Sequence, residues 1–316
     1  MSQQFDLNFP RATSNPPAQG VIKQKVDDFY VEELLTPELA GEGEHVWLWL
    51  EKIGQNTEFV AEKLAQFSKV KLMDVGFSGL KDRWAITRQW FSIYLGNKAE
   101  PNWADLALDG VEILQTGRHL KKLRRGEHTS NKFRIVVREL DRTEFIDEEL
   151  KRIALNGFPN YFGAQRFGIN GANLERGERF FKGQLKASRS QRSFYLSAAR
   201  SFLFNINLAG AVTQHTWLTS ELGGPLYGDE IPGSNELTEA EKEILNAYPI
   251  FSEAIHKNRL KLERRPFSIV PGNLSWECVE NSLTLEFVLP SGCFATSLIA
   301  EFIDYKVGLG VTNSES

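Results

Sequence analysis

Alternating apolar and polar positions organise the first half of the chain. Val21 to Leu35 alternates on either side of Asp27-Asp28, which predicts a strand, a turn and a second strand. His45 to Lys52 (HVWLWLEK) is a near-continuous apolar run and predicts a buried strand. From Asn56 to Val70 the period becomes helical. Asn56 or Thr57 is placed to cap that helix, with Phe59, Val60, Leu64 and Phe67 on its apolar face. Phe91, Ile93 and Leu95, and later Phe133, Ile135 and Val137, mark two more strands. Residues 97–109 are weakly patterned, with a short helix expected near Ala104 to Leu108, and the basic run before Phe133 reads as a loop or short ribbon. Glu144 to Asn156 predicts a helix presenting Ile146, Leu150, Ile153 and Ala154, closed by Asn156-Gly157.

At Pro159 the character changes. Four glycines and three aromatics crowd PNYFGAQRFGINGANLERG, which predicts a shaped loop that lets backbone approach another surface closely. Ser190 to Val212 is apolar almost all round and predicts a buried helix. Thr216 to Asn235 is rich in Gly and Pro and reads as loops, and Thr238 with Glu241 forms a capping box. Leu283, Leu285, Phe287 and Leu289 alternate as a strand, CFATSLIAEFI predicts a helix with Phe294, Leu298 and Phe302 four apart, and 308–316 reads as a frayed tail. The changes near Gly157 and Val270 indicate a middle segment inserted into a domain made from both ends.

Composition adds bounds. The 316 residues are 41% hydrophobic and 25% charged, enough for two packed domains. Two cysteines, Cys278 and Cys293, make no disulfide framework and no C-x-x-C pair, which suits a reducing compartment without structural zinc. The first twenty residues are polar, with three prolines and no apolar signal-peptide core. No apolar run reaches the ~20 residues of a membrane span. The expectation is a soluble, cytoplasmic protein with no membrane partner.

The net charge of −4 at first argues against nucleic acid, but its distribution points the other way. Between Arg118 and Arg138 there are eight Lys or Arg and one acid, and between His256 and Arg265 five against one. Basic segments on an acidic body are the electrostatic footprint of a polyanion partner. A solvated charged face is the plainer reading of each run taken singly.

The stretch richest in chemistry is Gly79-Leu80-Lys81-Asp82-Arg83-Trp84-Ala85-Ile86-Thr87-Arg88-Gln89-Trp90. Asp82 stands between two cations, which favour its charged form, on a turn entering a strand. That suits a nucleophile, and equally an acid placed for turn chemistry. The whole stretch resembles the nucleophile motif of the TruD family of tRNA pseudouridine synthases. NYFGAQRFG, unbroken from Asn160 to Gly168, resembles the family's second signature, and YLSAARSFLFN and FATS resemble two further family segments. The resemblance covers nearly the whole chain after residue 20.

The resemblance implies an α+β protein: a pseudouridine synthase catalytic domain with a mixed, mainly antiparallel sheet and helices, interrupted by an inserted TRUD α/β domain. Residues 1–156 and 271–316 are expected to form the catalytic domain and 157–270 the insertion. The implied activity is isomerisation of uridine to pseudouridine at position 13 in the D-arm of tRNA, with the base flipped into a pocket. Asp82 is the implied nucleophile and Lys23 the cation that orients it, with Phe29, Asn131, Phe133 and Phe294 contacting substrate. For Phe29 and Phe133 the pattern alone allows plain core packing. Lys81, Arg83, Lys121, Lys122, Arg124 and Arg125 are candidates for the RNA backbone. No cofactor, metal or protein partner is implied. Alternatives are a non-catalytic RNA-binding or RNA-folding protein on the same fold, and a synthase acting on another RNA. A carboxylate glycosidase lacks a second acid with a motif behind it. About twenty residues separate Asn205 from Gly224, fewer than the family usually carries, and Ala300 stands where it usually has a basic residue.

Overall fold

Period-two alternation in the N-terminal half is realised as the strands of one large sheet. The computed structural model describes residues 5–233 and 235–308. Two compact units emerge. Of the described residues, one comprises 18–144, 271–292 and 304–308; the other comprises 5–17, 145–270 and 293–303.

In the first unit the strands are β1 (Ala18–Ile22), β2 (Phe29–Leu34), β3 (His45–Ile53), β4 (Val75–Phe77), β5 (Ile86–Tyr94), β6 (Val111–His119) and β7 (Ser130–Arg138). Helix α1 (Thr57–Phe67) lies between β3 and β4. In the second unit α2 (Ile146–Asn156), β8 (Phe158–Pro159), α3 (Ala172–Phe181), α4 (Arg189–Thr213), β9 (Gly224–Leu226), α5 (Glu239–Ala247), α6 (Pro249–Lys257), β10 (Glu263–Arg265) and β11 (Ser268–Ile269) follow. The chain returns to the first unit as β12 (Gly272–Val279) and β13 (Ser282–Pro290), then passes through α7 (Ala295–Ala300) to β14 (Ile303–Val307).

Ten strands, among the described residues, form the main sheet in the order β12-β13-β7-β2-β5-β3-β6, with β1, β4 and β14 attached beside that path. The β2–β5 pair is parallel and the other pairs with a recorded register are antiparallel, so the sheet is mixed. The protein is α+β. One face is covered by α1. Its Val60, Ala61, Leu64 and Ala65 bury against Leu48, Leu50, Phe91 and Ile93, and a leucine so placed contributes about 1.5–3 kcal/mol. Asn56 caps that helix by accepting from the Glu58 amide.

The second unit is built around α4. Its Ala198, Phe202, Leu203, Phe204 and Leu208 pack with Tyr161, Phe162, Phe167, Tyr227, Phe251 and Phe267. The capping box expected at Thr238 and Glu241 opens α5.

Several local expectations are corrected. Phe59 is exposed, because the buried arc of α1 runs through Ala61 and Ala65 instead. Ala154 also faces solvent. The short helix near 104–108 is a single 3-10 turn at Trp103–Asp105. Strand β6 carries part of the basic run read as a loop or short ribbon; among the described residues it pairs only with β3, is half exposed, and so lacks a clean alternation. The glycine-rich stretch becomes helix α3 at Ala172. The closing helix stops after six residues, with Phe294 as its N-cap and Phe302 beyond it. Of the tail expected to fray, Gly308 donates its amide to Ile22, and 309–316 lie outside the described residues. Much of the short stretch before Gly224 is taken up by α4, which runs on to Thr213. No helix is long and apolar enough to cross a membrane.

Candidate active site

Asp82 sits on the loop between β4 and β5, which is braced by side chains from α1, β3 and β5. The Asp82 side chain is a third exposed, the Lys23 side chain 12%. Its Oδ2 is paired with the Lys23 ammonium, and its Oδ1 accepts the Trp84 amide at 3.0 Å, an Asx turn. Lys23 follows β1 with φ of +53°, a conformation that costs a non-glycine residue some strain and turns its side chain towards the loop. The same ammonium lies 4.4 Å from the centre of the Phe29 ring.

Phe29 meets Phe133 edge to face, with centroids 6.5 Å apart, and Phe133 stacks on Phe287 at 5.4 Å. Asn131, two residues before Phe133, shares its face of β7. Register aligns them: Glu33 and Leu289 flank Asn131, and Val31 and Phe287 flank Phe133. Asp82, Lys23, Phe29 and Phe133 thus form one chain of contacts with Asn131 beside it. Phe294 belongs to the other unit, its ring 5.7 Å from Phe162 and 5.9 Å from the Arg166 guanidinium.

Lys81 is a correction as a candidate for the RNA backbone. Its side chain is 5% exposed and its ammonium bonds Glu33 Oε2 at 3.1 Å, so it neither faces an RNA backbone nor serves as the cation of Asp82. Burial pushes the Glu33 carboxyl up and the Lys81 ammonium down, while their mutual attraction opposes both shifts. The cation on the carboxylate is Lys23, 59 residues away in sequence.

The family model described as tRNA pseudouridine synthase D (TruD) matches residues 9–188. A Cellvibrio japonicus protein named tRNA pseudouridine synthase D is 42% identical, over 95% of this chain and 94% of that protein. The chain belongs to the TruD family. A Pseudomonas syringae pv. syringae protein of the same name is 38% identical over 98% of both chains. A crystal structure from Methanosarcina mazei, described as a candidate member, shares the fold with a TM-score of 0.67 at 18% identity, covering 95% of this chain and 96% of that one.

Against the TruD motif, the loop shows what its letters do. Thr57 accepts the Lys81 amide at 3.0 Å and bonds Gln89, whose amide donates to the Gly79 carbonyl at 3.0 Å. Lys52 is fully buried and donates to the carbonyls of Gln55 and Asp82. Burial pulls the Lys52 ammonium down to about 8. None of Lys52, Thr57, Glu33 or His128 was among the expected site residues. A signal existed: Val46, Leu48 and Leu50 put Lys52 on the inward phase of β3, as Phe29 and Val31 put Glu33 on that of β2.

The other backbone candidates divide. Lys121, Arg124 and Arg83 are exposed; Arg83 lies over the Trp84 ring at 5.3 Å. Lys122 donates to the Met73 carbonyl, and the Arg125 guanidinium stacks on Phe77 at 3.9 Å. Elsewhere in the basic run Arg118 pairs with Glu100, Lys132 and Arg134 with Glu286, and Arg138 with the buried Asp28. In the second cluster Arg264 pairs with Glu241 and Arg265 is turned inward over Phe162. Much of the apparent footprint is therefore internal pairing. Among the described residues no three His, Cys, Asp or Glu side chains are grouped to hold a metal.

Proposed function

We propose that this TruD-family chain isomerises uridine to pseudouridine at position 13 in the D-arm of tRNA, in the cytoplasm, with Asp82 as the nucleophile. The observation that carries this is the placement of Asp82 on a braced loop, paired with a cation that also covers the Phe29 ring. The reaction breaks the bond from ribose C1′ to N1, turns the base and joins C1′ to C5. One glycosidic bond replaces another with no net redox change and no leaving phosphate, so the chemistry calls for no cofactor.

A carboxylate facing the ribose serves either attack at C1′ or removal of the 2′ proton. In both, Lys23 orients the carboxylate and balances its charge. Phe29 and Phe133 offer rings to an unstacked uracil, and Asn131 a hydrogen-bonding edge. Phe294 is assigned to the same RNA substrate, and Arg83, Lys121 and Arg124 to its phosphates. Residues 1–156 and 271–316 form the catalytic domain in this reading, and 157–270 the TRUD insertion.

The test is pseudouridine mapping of tRNA from cells lacking the protein, with wild-type and Asp82→Asn add-backs. Loss of the mark at position 13, restored only by wild type, supports enzyme, substrate and nucleophile together. Full restoration by Asp82→Asn overturns the nucleophile. A mark independent of the protein overturns the substrate.

A further inference from the structure

Behind the nucleophile loop lies a buried polar network that the proposed chemistry does not use. His128 is 6% exposed at its centre. Its Nδ1 is 2.6 Å from Ser78 Oγ, and its main-chain amide donates to that same Oγ at 2.8 Å. Nδ1 is also 3.8 Å from Oε2 of Glu33, the acid paired with Lys81 beside Asp82. On the other side of the ring Nε2 faces Asn131 Nδ2 at 3.4 Å and Ser291 Oγ at 3.1 Å. Asn131 Oδ1 is buried and has no hydrogen-bond partner among the described residues.

We infer that His128 is a positioning residue whose bare Nε2 holds the Asn131 amide with Nδ2 inward, leaving Oδ1 as the acceptor for N3–H of the target uracil. This rests on the reading of Asn131 as the residue that meets the base edge. An amide NH2 can only donate, so the Nδ2···Nε2 contact is a hydrogen bond only where that nitrogen carries a lone pair, and the Ser291 hydroxyl, 3.1 Å away, can then donate to it as well. The proton then sits on Nδ1, where Ser78 Oγ accepts it and the Glu33 carboxylate lies close. Burial, with help from the Lys81 charge, draws the His128 imidazole down to about 4, so the ring is neutral at pH 7 and carries one proton, on one nitrogen or the other.

The consequence is base choice. Uracil carries a proton on N3 and cytosine carries a lone pair there. An amide oxygen locked towards N3 bonds the first and repels the second. The opposite tautomer would turn the amide over, satisfy Oδ1 on Nε2–H and present a donor, which reverses the preference. A buried oxygen left unpaired until substrate arrives is the kind of group that discriminates strongly, because the wrong base leaves it unpaired.

The experiment begins with the wild-type protein labelled with 15N-histidine, whose five histidines are assigned by the signal lost in His128→Gln. Two-bond proton–nitrogen correlations are expected to show Nδ1 protonated and Nε2 bare in His128. A protonated Nε2 overturns the inference while leaving the isomerase reading intact. The second readout is discrimination between tRNA bearing uridine at the target position and the same tRNA bearing cytidine as a competitor. His128→Leu is expected to reduce that discrimination about tenfold, and His128→Gln, which keeps an acceptor, to retain most of it. Equal discrimination in all three proteins overturns the inference. A wild-type protein that forms no pseudouridine in any tRNA removes the underlying reading and the inference with it, an outcome the tautomer measurement cannot mimic.

Discussion

The ammonium of Lys52, fully buried in β3, donates to the main-chain carbonyl of Asp82 at 2.9 Å. The backbone of Asp82 is thereby held by one lysine while its carboxylate is held by another, Lys23. Two cations, one in β3 and one on the turn after β1, hold one acid. This division of labour separates what each substitution should do.

Lys52→Met removes the donor to both Gln55 and Asp82 while keeping most of the side-chain volume. Each buried carbonyl left unpaired costs about 1–3 kcal/mol. A fall in stability of that order should appear in urea titrations, together with a lower kcat as the loop loosens. Unchanged kcat would show that the loop keeps its place without the lysine.

Lys23→Met leaves the loop backbone alone and strips the carboxylate of its partner. Turnover on tRNA is expected to fall about 10²-fold or more with little change in KM, by analogy with loss of one preorganised charged donor. Stability should change little, since Asp82 remains a third exposed to water.

Lys81 and the exposed pair Lys121 and Arg124 should separate sharply. Lys81→Gln leaves Glu33 buried beside a neutral group and is expected to cost about 3–5 kcal/mol of stability. The double variant Lys121→Gln, Arg124→Gln should fold normally and lower the salt slope of tRNA binding by about 2. A double variant with wild-type salt dependence would remove these residues from the RNA surface.

In the helical unit, burial raises the Glu301 carboxyl from the ordinary carboxylate value of 4.5 to about 7, against opposing help from the Ala12 amide and Arg152. Because the folded state holds the proton more tightly, this group's contribution to stability is fully present below pH 4.5 and is lost as pH rises to about 7. The loss is on the order of 3 kcal/mol. Glu301→Gln should flatten the stability profile across that window, read by denaturant titrations at successive pH values.

Much of the fold was legible because strand and helix periods are local. The alternation around Phe133 and the capping signals at Asn56 and Thr238 each describe a few consecutive residues. The motif around Asp82 and the match from Asn160 to Gly168 likewise pointed to the family directly. Other features were less visible. Strand β6 was hidden because an edge strand half in water carries no clean alternation. Lys81 was expected on the RNA backbone because a lysine in a charged turn reads as exposed, and its buried partner Glu33 is 48 residues away.

By itself, then, the chain determined the element periods, the candidate nucleophile and the family resemblance, all of which are written in short stretches. Only the tertiary structure decided which cations pair outward and which turn inward. That choice depends on burial and on partners tens of residues away: Glu33 for Lys81, Glu286 for Lys132 and Arg134, and Asp28 for Arg138. It also decided that Lys52 and Glu33 join Lys23 around one loop. Strand register, set by the pairing of β2, β3, β5 and β7, brings the inward positions Glu33 and Lys52 together, and Lys23 arrives from the turn after β1; no stretch of sequence contains this.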